Sequence, residues 1–288
     1  MALVTTRALV LQAFPYSETS KILRLYTWDH GLASVIAKGA LRPKSRYGGV
    51  LEPFTEGVAT FYHRYGRDLH TLSGFDLVRS RQALGRSLTG FAGASLLAEL
   101  VLRVGTEEAH PELYETLAAA WEAIAAAPGA EGALAAALTG AWTLVSLLGY
   151  EPQTDHCIVC ERPLAAAEPV RFDTTAGGVA CTRCRPAGRL IDAASRRELH
   201  AMVHGTVPDA PLANPGLHRA LIRAFLATHL QHDKPFRSLE LFLDHAGTTD
   251  ETRTDAEPSD RFESATGSRD GPAADVPWRE GIIPPAAG

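Results

Sequence analysis

Cys157-Ile158-Val159-Cys160 is followed by Cys181-Thr182-Arg183-Cys184, and the chain's four cysteines are all in these two stretches. Twenty residues, 161 to 180, separate the pairs, at the upper edge of zinc-ribbon spacing. One CxxC turn aims two thiolates at a common point, and two such turns complete a tetrahedron around one ion. The intervening residues support that geometry. Val170-Arg171-Phe172-Asp173 and Gly178-Val179-Ala180 read as short strands flanking a turn at Thr174–Gly177, a hairpin that returns the second pair to the first. Two disulfides or four unliganded thiols are the alternatives. The spacing favours one structural Zn²⁺ held by Cys157, Cys160, Cys181 and Cys184. With four protein ligands it has no open coordination position, and so no catalytic role.

Four thiolates around Zn²⁺ carry a formal charge of about −2. Arg162, Arg171, Arg183, Arg185 and Arg189 lie in or beside the motif and are candidates to balance it or to reach nucleic acid. The sequence does not separate these roles. His156, next to the first thiolate, reads as a neighbour rather than a ligand.

Working outward, the 288 residues are enough for two domains, and the apolar fraction of 45% is ample for packed cores. No apolar run reads as a membrane span of about 20 residues. The first residues, Met1-Ala-Leu-Val-Thr-Thr-Arg7, lack the basic-then-apolar order of a secretory signal. With the cysteines assigned to metal, a cytoplasmic protein is expected. The net charge of −5 argues weakly against a nucleic-acid partner, but its distribution points the other way. Residues 247–288 hold four Arg against nine acids; residues 1–80 hold ten basic residues against six acids, for +4; residues 81–246 carry −4. A basic N-terminal unit on a mildly acidic body suggests polyanion contact at the basic end.

Residues 1–80 read as five short strands: Arg7–Phe14, Lys21–Thr27, Leu32–Lys38, Gly57–His63 and Leu69–Val78. In the second, Ile22, Arg24 and Tyr26 alternate with Leu23 and Leu25, a half-buried pattern. The count and spacing predict a small closed barrel, with an OB-fold as the five-stranded, oligonucleotide-binding candidate and an SH3-like barrel as the other. Between strands three and four, Lys38-Gly39-Ala40-Leu41-Arg42-Pro43-Lys44-Ser45-Arg46-Tyr47-Gly48-Gly49 carries four basic residues and no acid. It reads as a mobile loop, either an ordinary solvated connection or a phosphate-tracking arm with Tyr47 free to stack on a base. From Gln82 the period becomes helical. One helix ends near Gly105, a second starts at His110-Pro111 and stops at Pro128-Gly129, and a third runs over Gly132–Leu148. Ser195–His204 and Leu217–His232 follow the cysteine motif. The expected organisation is therefore an all-β barrel domain at 1–80, then an all-α domain at 81–246 with a zinc-ribbon insert at about 155–187. An acidic tail at 247–288 is too polar to fold.

Other chemistry finds little support. His110-Pro111-Glu112 ahead of Cys157-x-x-Cys160 superficially matches the zinc-deaminase pattern. However, Asp155-His156 rather than Pro precedes Cys157, and the second CxxC has no job in such a site. Zinc-ligand HExxH, phosphate-loop and serine-nucleophile motifs are absent from the sequence. No catalytic residues are expected.

A family resemblance rests on a series of motifs in order. These are Ala8-Leu-Val-Leu-Gln-Ala-Phe14, Tyr16-Ser-Glu-Thr19, the basic Lys38–Arg46 loop, Tyr47-Gly-Gly-Val-Leu-Glu-Pro-Phe54 and Leu147-Leu-Gly-Tyr150. Then come the first CxxC, Phe172-Asp173, Ala176-Gly-Gly-Val179, the second CxxC, and His229-Leu-Gln-His-Asp-Lys-Pro-Phe-Arg-Ser238. From about residue 5 to 245 the series resembles the bacterial RecO recombination mediators. The resemblance implies an N-terminal OB-fold, a helical domain and a zinc-binding insert. It further implies binding of single- and double-stranded DNA and annealing of complementary strands. Its implied partners are RecR, sometimes RecF, and the C-terminal tail of the single-stranded-DNA-binding protein, in loading RecA onto DNA coated by that protein. Carried over, the DNA contacts fall on Lys38, Arg42, Lys44 and Arg46, with Lys21 and Arg24 as further candidates. Such work needs neutralised phosphates and reversible base contacts rather than a catalytic group. Tyr16, Tyr47, Tyr62 and Tyr65 are candidates for the base contacts, and each reads equally well as a core or turn residue. The competing readings are a zinc-stapled adapter that binds protein and the zinc-dependent deaminase. In the tail, Asp275-Val276-Pro277-Trp278 resembles the Asp-Ile-Pro-Phe ending of the single-stranded-DNA-binding protein, which suggests a built-in competitor.

Overall fold

The computed structural model describes residues 2–230, apart from 65, 166, 185–187 and 210, together with residues 235–245. The proposed tail at 247–288 lies outside the described residues, as do Tyr65 and Arg185.

Five strands, β1 (Ala2–Pro15), β2 (Lys21–Thr27), β3 (Gly31–Ala37), β4 (Glu56–His63) and β5 (Leu69–Arg79), close into a barrel in the order β1-β2-β3-β5-β4. All its pairs are antiparallel except β3–β5, which runs parallel from Ser34↔Leu69 to Ile36↔Thr71. Period-two alternation sends Ala8, Val10, Leu23, Leu25, Val35, Phe61 and Leu72 inward to a common core. β1 is longer than the sequence pattern indicates, because one strand serves two partners. Ala2–Leu9 pairs with β4 and Ala8–Pro15 with β2. An irregularity between Val10 and Gln12 turns it from one to the other, as closure of a small barrel requires.

A one-turn helix at Gln82–Arg86 leads into α1 (Leu88–Val104), α2 (Pro111–Ala126) and α3 (Gly129–Val145). Polar residues fix the starts: the Ser87 hydroxyl accepts from the Gly90 N–H at 3.2 Å, and His110 Nδ1 from the Leu113 N–H at 3.1 Å. α3 runs on through a wide turn at Ser146–Tyr150, where Gly149 takes φ 89°. By length and composition the stretch Gly129–Tyr150 is apolar enough to cross a membrane, contrary to the sequence reading. It is buried at the centre of the body instead, with Leu138, Trp142, Leu144 and Val145 fully covered. Small residues let its neighbours close in. A Cβ on Gly140 would stand 2.8 Å from Leu97 Cδ1 and 2.9 Å from the Ala120 methyl. The body is completed by α4 (Ala193–Val203), α5 (Pro215–His229) and α6 (Arg237–His245).

The outer face of the barrel is welded to this body. Leu9, Leu11, Tyr26 and Phe54 belong to the helical core rather than to the barrel interior. Tyr26, expected on a half-exposed face, is therefore 1% exposed. Phe54 holds a left-handed backbone at φ 69°, a strain of about 1–3 kcal/mol for a residue with a Cβ. Its ring meets Trp121 at 5.3 Å and Phe91 at 5.7 Å, both edge-on. Beneath it the buried Arg81 donates to Glu56 Oε2 at 2.8 Å, to Glu122 Oε1 at 2.6 Å and to the Phe54 carbonyl at 3.1 Å.

Between α3 and α4 sits a three-stranded sheet in the order β7-β6-β8, of β6 (Val170–Asp173), β7 (Gly178–Cys181) and β8 (Arg189–Ile191). The hairpin is where the sequence placed it, with Val170 opposite Cys181 and Asp173 opposite Gly178. Phe172 enters an aromatic cluster with Trp142 of α3 and Phe225 of α5, at 6.3 and 6.2 Å.

Candidate functional site

The β6–β7 hairpin brings the two CxxC turns together. One sulfur from each of Cys157, Cys160, Cys181 and Cys184 lies within 4.8 Å of the others. In a tetrahedral zinc–thiolate site, bonds of about 2.3 Å put the sulfurs about 3.8 Å apart, a separation within the bound that this cluster meets. Cys157 and Cys181 are buried, Cys184 is half-buried and Cys160 is exposed. Backbone geometry supports the knuckle. Cys157 donates its N–H to the Arg162 carbonyl at 3.0 Å and accepts the Glu161 N–H on its own carbonyl at 2.8 Å. Glu161 adopts φ 57° to make that turn.

The electrostatics suit a cation. Burial raises the Cys157 thiol, but N–H groups of Cys160, Cys181 and Val159 directed at its sulfur outweigh burial and bring it down to about 6. The Cys181 N–H reaches that sulfur at 3.3 Å. Cys184 goes the other way, to about 12, because the neighbouring Cys181 and Cys160 sulfurs hold its proton and burial adds to the effect. Four crowded sulfurs thus retain a proton that a divalent ion displaces. The donor set fits a soft or borderline metal such as zinc. His156 is exposed and outside the cluster. His110 caps α2 and belongs to neither group of residues able to hold a metal among the described residues.

The cluster's setting is rigid. Arg196 of α4, itself buried, donates to the carbonyls of Thr154, Leu164 and Ala165 at 3.2, 3.1 and 2.7 Å, gripping both flanks of the first knuckle. Burial lowers its pKa. His229 Nε2 donates to the Thr174 carbonyl at 2.7 Å and so ties the end of α5 to the hairpin turn. This explains the first residue of the C-terminal motif, whose residues 231–234 lie outside the described ones. Phe236, later in that motif, is buried under the Arg103 guanidinium, 4.1 Å from its ring centre. Of the arginines proposed to balance the thiolates, Arg162 pairs with Glu168; burial raises the Cys181 thiol, but Cys184 and, to a lesser extent, the nearby Arg162 guanidinium outweigh it and hold Cys181 below the usual thiol range. Arg171 donates to the Gly188 carbonyl at 2.9 Å, and Arg183 is exposed.

The basic loop leaves β3 on the barrel. Lys38, Arg42, Lys44 and Arg46 are all exposed along it. Successive turns order it, with the Arg42 N–H on the Gly39 carbonyl at 3.2 Å and the Ser45 N–H on the Arg42 carbonyl at 2.9 Å. Tyr47 is not free to stack. It is 3% exposed within the barrel core, donates its hydroxyl to the Leu72 carbonyl at 3.3 Å, and lies 4.9 Å beneath the Arg46 guanidinium. Five residues after an exposed turn, Tyr47 is the plug that returns the chain to the barrel, and neither charge nor periodicity signals that. Tyr16 and Tyr62 remain exposed. Lys21 is half-buried and paired with Glu52 at 2.6 Å, and Arg24 is half-buried on β2.

Comparison with known proteins gives consistent matches. The family described as Recombination protein O N terminal matches residues 1–81, and that described as Recombination protein O C terminal matches residues 85–240. The DNA repair protein RecO of Anaeromyxobacter sp. (strain K) is 34% identical over 254 residues, covering 85% of this chain and 97% of the relative. That of Prosthecochloris aestuarii is 29% identical over 259 residues, covering 82% and 95%.

Proposed function

The chain belongs to the recombination protein O family, and from that membership we propose a DNA-binding mediator that anneals complementary single strands and assists RecA loading. The family acts in DNA repair by recombination and is one of mediators rather than enzymes. The proposed partners are single- and double-stranded DNA, RecR, in some settings RecF, and the C-terminal tail of the single-stranded-DNA-binding protein, in the cytoplasm at the nucleoid. The proposed division is a barrel domain over 1–80 and a helical domain over 81–246.

One observation carries the reading: four exposed cations, Lys38, Arg42, Lys44 and Arg46, on one ordered loop of a closed five-stranded barrel. Neutralising phosphates is what allows two strands to approach, and counterion release drives it. The strand order with its parallel β3–β5 pair supports an OB-fold, and the clustered sulfurs around a hairpin support a zinc ribbon. With Tyr47 buried, base stacking falls to Tyr16 and Tyr62. The ribbon's role here is to staple the helical body, since its sulfurs leave a tetrahedral ion no open position.

The test is annealing of complementary oligonucleotides by the full chain and by an Arg42→Ala, Lys44→Ala, Arg46→Ala variant, with zinc content measured in both. The reading expects slower annealing and weaker DNA binding at unchanged zinc content. Equal annealing by both would leave the loop a solvated connection.

A further inference from the structure

A second group of metal-ligating side chains stands beside the cysteine cluster. Asp155, His200 and His204 each place one ligand atom within 4.8 Å of the others. Asp155 precedes the first knuckle by two residues, whereas His200 and His204 lie one turn apart at the C-terminal end of α4. At i and i+4 the two imidazoles share one helix face, and their ring centres are 4.3 Å apart. We propose that Asp155, His200 and His204 form a second, solvent-accessible site for a divalent transition-metal ion of the zinc class.

Three details of the geometry support this. First, Asp155 Oδ1 is 3.2 Å from His200 Nδ1, close to the roughly 3.3 Å edge of a tetrahedron with 2.0 Å zinc–ligand bonds. Second, His204 Nδ1 is 2.9 Å from the His200 carbonyl, which can only accept. That places a proton on Nδ1, so in the neutral ring the lone pair is on Nε2, and the contact is the orienting bond that metal-binding histidines characteristically make. Third, Glu151 Oε1 lies 4.0 Å from that Nε2, placed to supply a fourth ligand. The hydroxyl of the buried Thr154 lies 2.9 Å from the same His200 Nδ1, a contact that an ion bound at Nδ1 displaces. Two imidazoles with carboxylates suit zinc, nickel or copper, whereas magnesium and calcium take oxygen ligands.

The site joins the root of the ribbon, Glu151 to Asp155, to the end of α4. An ion there cross-links the two segments that Arg196 also bridges, through its bonds to Thr154. The half-exposed ligands make it more accessible to chelators than the buried cysteine cluster.

The experiment uses the full chain, first stripped of loosely held metal with a mild chelator. It is then titrated with Zn²⁺, followed by calorimetry and by total zinc per chain after gel filtration. His204→Gln and Asp155→Asn are compared, both at exposed positions. Substitution of Co²⁺ for zinc reports the thiolate cluster separately through its sulfur-to-metal absorption and serves as the folding control. The proposal expects a second equivalent of zinc on the unmodified chain, with affinity at least about tenfold weaker in each variant and the thiolate–cobalt absorption unchanged. One equivalent only on the unmodified chain, or equal second-site affinity in all three proteins, would overturn it. If a variant lost the thiolate absorption, His200→Gln replaces it, read by the same two signals.

Discussion

At the scale of single residues, the physical setting of a side chain decides its role more than its type does. Tyr47 sits in a basic, Gly-rich stretch and reads as a base-stacking aromatic, yet it plugs the barrel. Tyr47→Phe is expected to cost about 1 kcal/mol through the lost bond to the Leu72 carbonyl, and Tyr47→Ala about 3–5 kcal/mol, by denaturant unfolding. DNA affinity of the folded Tyr47→Phe protein should match the parent. Glu56 is a second case. Burial raises its pKa, but hydrogen bonds and charge from Arg81, with further bonds from Arg7 and Tyr114, prevail and lower it. A carboxylate depressed in the folded state stabilises the fold at pH values above its unfolded pKa, and that contribution is lost as pH falls through the folded value. Glu56→Gln should therefore flatten the acid limb of the stability–pH profile. It should also cost about 1–3 kcal/mol near neutrality, because the buried Arg81 loses one charged partner while keeping Glu122 and the Phe54 carbonyl. An unchanged acid limb would show that other carboxylates govern acid unfolding. None of the Arg7–Glu56–Arg81 constellation is legible in the sequence, since its members meet only once the barrel has docked on the helices.

At the scale of elements, the parts that carry their own local code were legible. β2 and the β6–β7 hairpin fall where alternation and turn residues put them. α1 and α2 stop where Gly105 and Pro128 interrupt the helical period. What escaped were elements stabilised by tertiary contact alone. β8 has three residues and forms only by pairing with β6. α6 starts where the N–H groups of Arg237 and Ser238 meet the Glu99 carboxylate of α1, at 3.2 and 2.8 Å, a cap from 138 residues away in sequence. The cysteine cluster was legible because spacing alone specifies it; the neighbouring Asp155–His200–His204 group was not, because its parts lie on separate elements. Cys157→Ser or Cys181→Ser should lower zinc content and stability together, by about 4 kcal/mol, the range of a lost structural metal. Equal thermal stability before and after demonstrated removal of zinc would take away the ribbon's structural role. Packing between helices makes a separate prediction. Gly140→Ala should cost about 1–3 kcal/mol, since its methyl would meet Leu97 and Ala120 in a core that cannot yield without moving α3 from α1 and α2. Retained stability would mean that this contact relaxes freely.

At the scale of the whole molecule, charge is distributed against its total. The chain carries −5 overall, while residues 1–80 carry +4, and the exposed cations of the β3–β4 loop project from that basic unit. The role proposed for this loop is to track phosphates. The most direct measurement is the equilibrium affinity of the full chain for a single-stranded oligonucleotide across a range of salt concentrations, beside the Arg42→Ala, Lys44→Ala, Arg46→Ala variant. Each phosphate contact contributes about 0.7 to the slope of log affinity against log salt, so the variant's slope is expected to be shallower by about 2, with affinity lost evenly across sequences. A parent whose binding is insensitive to salt, or a variant with the parent's slope, would contradict it.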